Sequence, residues 1–112
     1  MVLAGKKFAT KSSPEEVGIK TAEVLKNHVP KDLAGVVFLS GGQSVEQATE
    51  NLAAVEKNGP FPWPVTFSFA RALQDPALFA WRGDNENANS ARVAFLARLI
   101  ANSKALETPP VL

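Results

Sequence analysis

Apolar residues change their spacing several times along the chain, and each change marks an element boundary. Val17, Thr21, Val24, Leu25 and His28 recur at the 3.6-residue period of a helix with one buried stripe, which leaves Lys20, Glu23 and Lys26 to water. Ser13 can cap that helix, Pro14 suits its first position and Glu16 completes a capping box, so the pattern predicts a helix from residue 14 to about Asn27, stopped by Pro30. Val36-Val37-Phe38-Leu39 has no polar break and reads as a parallel strand covered on both faces. Ser40-Gly41-Gly42-Gln43 then makes a tight turn. Ser44 with Gln47 forms a second capping box, and Val45, Ala48, Leu52, Ala53 and Val55 carry the apolar face of a helix reaching about Lys57. Asn58-Gly59-Pro60 ends it, and Phe61-Pro62-Trp63-Pro64 is a rigid connection. Val65 to Phe69 is a strand by its β-branched and aromatic content. Asp75-Pro76 opens a short helix through Trp81, and Val93, Leu96, Ala97, Ile100 and Ala101 mark a final amphipathic helix ending near Ala105.

Strands alternating with helices define an α/β fold with parallel strands and right-handed crossovers. Met1 to Leu3, apolar at the very start, reads as the end of one more strand. Two or three strands make a poor sheet, because parallel strands need helices on both faces and partners at both edges. The pattern therefore describes part of an architecture: residues 1–106 form the folded portion and 107–112, with Thr108-Pro109-Pro110, a frayed tail.

Charge and composition narrow the chemistry. Twelve Lys and Arg against eleven Asp and Glu leave a net charge of +1 over 112 residues, too little to hold nucleic acid or an acidic membrane. There is no cysteine and one histidine, which removes thiol catalysis and leaves almost no zinc chemistry, so neither metal nor cofactor is expected. No 18-residue apolar run occurs, and a cytoplasmic location is the expectation.

One turn carries chemistry. Ser40-Gly41-Gly42 lies between a strand and a capped helix, where backbone can approach a ligand closely and the helix N-terminus favours an anion such as phosphate. Ser68 and Arg71 stand at or just past the end of the next strand, and Arg71 can grip phosphate with a bidentate fork. Phosphate ligands on two consecutive strand ends match the last two strands of a (β/α)8 barrel.

Three segments carry a closer resemblance: Phe38 to Ser44, Thr66 to Gln74 and Ala101-Asn102-Ser103. In order and spacing they resemble the C-terminal third of the class I fructose-bisphosphate aldolases. The resemblance implies the end of strand six and strands seven and eight of a TIM barrel, with their helices. It assigns Ser40, Gly41 and Gly42, and then Ser68 and Arg71, to a phosphate of the sugar bisphosphate. The parent it implies is a metal-independent glycolytic lyase, a homotetramer that cleaves fructose 1,6-bisphosphate to dihydroxyacetone phosphate and glyceraldehyde 3-phosphate. It also implies what this chain lacks. The family's Schiff-base lysine opens a lysine-proline-asparagine-methionine segment whose methionine matches Met1, so the nucleophile falls three residues before the chain begins. The acid/base carboxylates belong to earlier strands, and no catalytic residue is assigned here. Many members have tyrosine-glycine where Phe69-Ala70 stands, which bears on how closely that backbone approaches the phosphate.

The remaining candidates read as structure. Lys6 and Lys7 are loop lysines, His28 is a packed side chain near a helix C-terminus, and Trp63 and Trp81 pack rather than stack on sugar. Arg82-Gly83-Asp84 is a surface turn, and Glu46, Glu50 and Glu56 form a solvated helix face. The alternative to an enzyme fragment is a free-standing anion-binding module whose strand edges are closed by self-association.

Overall fold

The structure, a computed structural model, describes residues 1–107. Apart from Glu107, the tail expected at 107–112 lies outside the described residues. The elements run α1 (Pro14–His28), β1 (Val36–Phe38), α2 (Val45–Lys57), β2 (Val65–Phe67), α3 (Arg71–Trp81), a 3-10 turn (Asn85–Asn87) and α4 (Ala88–Ala105). β1 and β2 are parallel neighbours, Val36 opposite Val65 and Phe38 opposite Phe67, so the expected α/β order with parallel strands is present. Met1 to Leu3 forms no ladder with them; the Val2 amide donates instead to Thr21 Oγ1 at 2.9 Å.

The helix starts follow the local chemistry that the sequence announces. Ser13 Oγ accepts from the Glu16 amide at 3.2 Å, though the Glu16 side chain does not return the bond that would complete the expected capping box, whereas Ser44 and Gln47 complete a reciprocal one. α3 departs from expectation, starting at Arg71 and running through Pro76. Arg82 in the left-handed region (φ 54°) ends it, followed by Gly83 (φ 74°) and an exposed turn, as expected for Arg82-Gly83-Asp84.

α1, α2 and one face of the strand pair enclose the core: Leu25, Phe38, Ala48, Leu52, Val55, Trp63, Phe69 and Ala72. Leu52 and Val55 are fully buried, each contributing roughly 1.5 to 3 kcal/mol relative to an exposed position. Trp63 packs as expected, its indole N–H donating to the Pro30 carbonyl at 2.9 Å. Trp81 does not; it is exposed on α3.

Other expected faces are rotated. The buried stripe of α1 is Val17, Gly18, Thr21, Ala22 and Leu25, while Val24 and His28 are exposed. Gly18 explains the shift: a β-carbon there would meet the Ala54 carbonyl oxygen at 2.6 Å, so α1 and α2 touch through their smallest residues. Gly18→Ala should therefore destabilise the chain despite a helix-propensity gain of about 1 kcal/mol, since backbone overlap costs about 1–3 kcal/mol and occasionally more. A fall in the thermal unfolding midpoint checks this, and a rise would rule out the close approach.

β1 alternates instead of burying both faces: Phe38 is inside, while Val37 and Leu39 are 59% and 70% exposed. α4 is turned relative to expectation, only Ala101 of the expected stripe facing inward. Ala94, Arg98, Ala101 and Asn102 turn inward, and Val93, Leu96 and Ile100 lie exposed on the opposite face. The helix packs on α2 and α3, and Arg98 and Asn102 bond across to α2. Glu56 is half-buried rather than solvated, and burial pushes its carboxyl above the ordinary range. The Cα radius of gyration is 15.7 Å, against about 13 Å for a compact chain of this length. The layer is open, with helices on one side of the strands and the other side uncovered.

Candidate functional site

Parallel register carries both strands to the same end of the sheet, so the segments leaving β1 and β2 emerge side by side. The Ser68 amide donates to the Phe38 carbonyl at 2.8 Å, holding the two exits together one residue beyond the ladder. After β1 the chain turns at Ser40-Gly41-Gly42-Gln43, closed by the Gln43 amide donating to the Ser40 carbonyl at 3.1 Å. Gly42 sits at φ 77°, a third-position conformation that favours glycine. The turn feeds directly into the capped N-terminus of α2. After β2, Ala70 is the residue before α3 and Arg71 its first residue.

These two exits frame an open cavity of about 260 Å³ lined by Ser40, Gly42, Gln43, Arg71 and Asp75. Three of the five residues expected at a phosphate site, Ser40, Gly42 and Arg71, are thus brought together. Gly41, between Ser40 and Gly42, and Ser68 are not among its lining residues. Ser40 is buried, whereas Arg71 is an exposed residue of the lining. A β-carbon on Gly41 would meet nothing within 4 Å, so the peptide there is bare. Chemically, the cavity offers a flexible fork of positive charge, a hydroxyl and a glycine turn at a helix N-terminus, which together suit a tetrahedral oxyanion.

Two lining residues escaped the sequence. Asp75 stands four positions after Arg71, and once α3 starts at Arg71 both fall on one helix face; placing the start at Asp75 concealed this. Its carboxylate opposes a bound anion, so Arg71 has to outweigh it. Gln43 Oε1 accepts from the Asn51 amide nitrogen at 2.7 Å, and Asn51 is itself buried in α2, which anchors the turn to the helix that follows it. Behind the same turn lies a smaller cavity of about 120 Å³ that includes Lys6, Lys11, Gly42 and Gln43, with Lys11 Nζ donating to the Lys6 carbonyl at 3.3 Å. Lys6 therefore stands beside the turn, not in the cavity that holds Arg71.

Comparison with known proteins gives one consistent result. Residues 1–109 match the family described as fructose-bisphosphate aldolase class-I. The fructose-bisphosphate aldolase of Plasmodium falciparum (isolate K1 / Thailand) is 48% identical over 105 residues, covering 94% of this chain and 29% of that protein. Fructose-bisphosphate aldolase 4, cytosolic, of Arabidopsis thaliana is 48% identical over 106 residues, covering 94% of this chain and 27% of that protein. A co-crystal structure of the Plasmodium falciparum aldolase in complex with TRAP and a small-molecule inhibitor superposes with a TM-score of 0.88 at 47% identity, over 92% of this chain and 30% of that one. The chain thus spans less than a third of the length of these relatives, and the matched region is their C-terminal portion.

Proposed function

Because this chain belongs to the class-I fructose-bisphosphate aldolase family, we propose that it supplies the phosphate-binding loops of a lyase that cleaves fructose 1,6-bisphosphate to dihydroxyacetone phosphate and glyceraldehyde 3-phosphate. In this reading β1 and β2 are strands seven and eight of a (β/α)8 barrel, Met1 to Leu3 is the end of strand six, and residues 1–106 are a partial barrel. The observation that carries it is the single cavity into which two parallel strand exits deliver Ser40, Gly42 and Arg71. Barrel enzymes place substrate groups at this end of their strands.

Arg71 takes the phosphate with its fork, Ser40 adds a hydroxyl, and the Gly41-Gly42 backbone approaches without side-chain obstruction. Ser68 joins them from the second exit. In this reading the reaction itself is Schiff-base chemistry without metal, its lysine preceding Met1 on strand six and its carboxylates lying on earlier strands. A glycolytic role in the cytosol and a homotetrameric parent complete the reading.

Exposed apolar residues support an incomplete barrel. Val37 and Leu39 project from the uncovered side of the strand pair, where the remaining strands of a barrel would enclose them. Leu78, Phe79, Val93 and Leu96 are each more than half exposed on α3 and α4. The coding DNA upstream of Met1 tests the proposal: an in-frame lysine-proline-asparagine preceding the methionine is expected. A stop codon directly before Met1 in an otherwise intact gene would overturn it and favour a self-associating module.

A further inference from the structure

Arg98 reaches from α4 across to the first turn of α2. Its Nη2 donates to the Val45 carbonyl at 3.0 Å and to Thr49 Oγ1. The Thr49 hydroxyl donates onward to Asn102 Oδ1 at 2.8 Å, and the Asn102 amide returns a bond to the Arg98 carbonyl at 2.9 Å. Asn102 is fully buried. This closed ring of polar groups ties α4 to the first turn of α2, on a helix that leaves Val93, Leu96 and Ile100 exposed.

The ring is not built like a stability device. Arg98 makes its bonds to a carbonyl and a hydroxyl, with no carboxylate among the partners found, and its Nε is buried without a hydrogen-bond partner. A cation and an orphaned N–H held in a helix interface cost free energy, and apolar residues of similar volume would pack there at lower cost. What the arrangement achieves is positional. Val45 is the first residue of α2 and directly follows Ser44, whose amide is held by Gln47, while Gln43 is held by Asn51. The end of the Ser40–Ser44 turn is therefore fastened at three consecutive residues, and Arg98 supplies the only one of those fastenings that comes from outside α2.

We propose that Arg98 is a positioning residue for the phosphate cavity: by gripping Val45 and Thr49 it fixes the first turn of α2, and with it the Ser40–Ser44 turn, relative to α4. This rests on the reading of that cavity as a phosphate site. It adds a third element, α4, to a site built from the exits of β1 and β2.

The test uses the full-length enzyme that carries this segment, with Arg98→Met and Thr49→Val as variants. Thr49→Val removes the shared hydroxyl at almost constant volume and carries the test should Arg98→Met fail to fold. Two readouts are taken. In kinetics, KM for fructose 1,6-bisphosphate and the inhibition constant of inorganic phosphate should both rise by at least about threefold, within the range that coupling through packed elements supplies, with kcat within about twofold. A merely structural role would lower kcat through the active fraction and leave both constants unmoved; that result overturns the proposal. In hydrogen exchange without ligand, amides of residues 43–49 should exchange faster in the variants while those of Leu52 and Val55 hold. Unchanged exchange at 43–49 overturns it as well. Should inorganic phosphate fail to compete even in the unmodified enzyme, the phosphate reading fails, and the exchange experiment still decides whether Arg98 fixes the turn.

Discussion

Incubated with fructose 1,6-bisphosphate and then reduced with borohydride, the 112-residue chain is expected to yield no stoichiometric covalent adduct and to release no triose phosphate. Trapping requires an amine that attacks the substrate ketone and loses water to form an iminium, which hydride then reduces to a stable secondary amine. Such an amine has to be neutral for a useful fraction of the time, which enzymes achieve by desolvation or by a neighbouring cation. Lys6 and Lys7 are not placed as barrel nucleophiles are: both are exposed on a loop, and Lys6 lines the small cavity beside the glycine turn rather than the one with Arg71. Catalysis also depends on several groups held at once, an orientation that can remove up to about 7 to 11 kcal/mol of a barrier, so a lone lysine on this segment is worth little. Mass spectrometry of the reduced protein decides the point. One modified lysine, at stoichiometry and dependent on substrate, would show that this segment carries its own nucleophile.

How far the sequence reached depends on what each residue answers to. Capping boxes and strand-ending glycines are local, and Ser13, Ser44, Gln47 and the Ser40–Gln43 turn behave as their neighbours dictate. Burial is not local. Val37 and Leu39 look like the centre of a covered strand because that is what their hydrophobicity is suited to, yet among the described residues both stay more than half exposed. The same holds for Val93, Leu96 and Ile100 on α4, where an apolar stripe at helical spacing faces outward and the side that packs on α2 is alanine, arginine and asparagine. A periodicity argument finds an apolar stripe and assigns it inward; it cannot tell that the inward face is a polar one. Gly18 and Ala22 were hidden for a different reason, since close approach of two helices rewards the absence of a side chain. At the cavity, residue types predicted Ser40, Gly42 and Arg71, whereas Asp75 depended on where α3 begins, a boundary that Pro76 made look later than it is.

Arg71→Ala in the full-length enzyme should weaken binding of fructose 1,6-bisphosphate by at least about tenfold, while an unphosphorylated sugar binds almost as before. Hydrogen bonds to a charged group contribute about 1.5 to 3 kcal/mol, and a change of 1.4 kcal/mol is tenfold in affinity. Arg71 is exposed in this structure, which places the expected effect toward the lower end of that range, because water competes with the anion for an open guanidinium. Asp75 pulls the same way: with its carboxylate lining the cavity, removing Arg71 leaves a site that repels the phosphate rather than one that merely ignores it. Arg71→Lys should recover only part of the loss, since a lysine restores the charge without the two-pronged geometry that fits a phosphate edge. Isothermal titration with the bisphosphate and with fructose separates these cases. Equal loss for both sugars would mean that Arg71 shapes the loop instead of meeting the anion, and an unchanged bisphosphate affinity would remove the cavity between the two strand exits as the phosphate site.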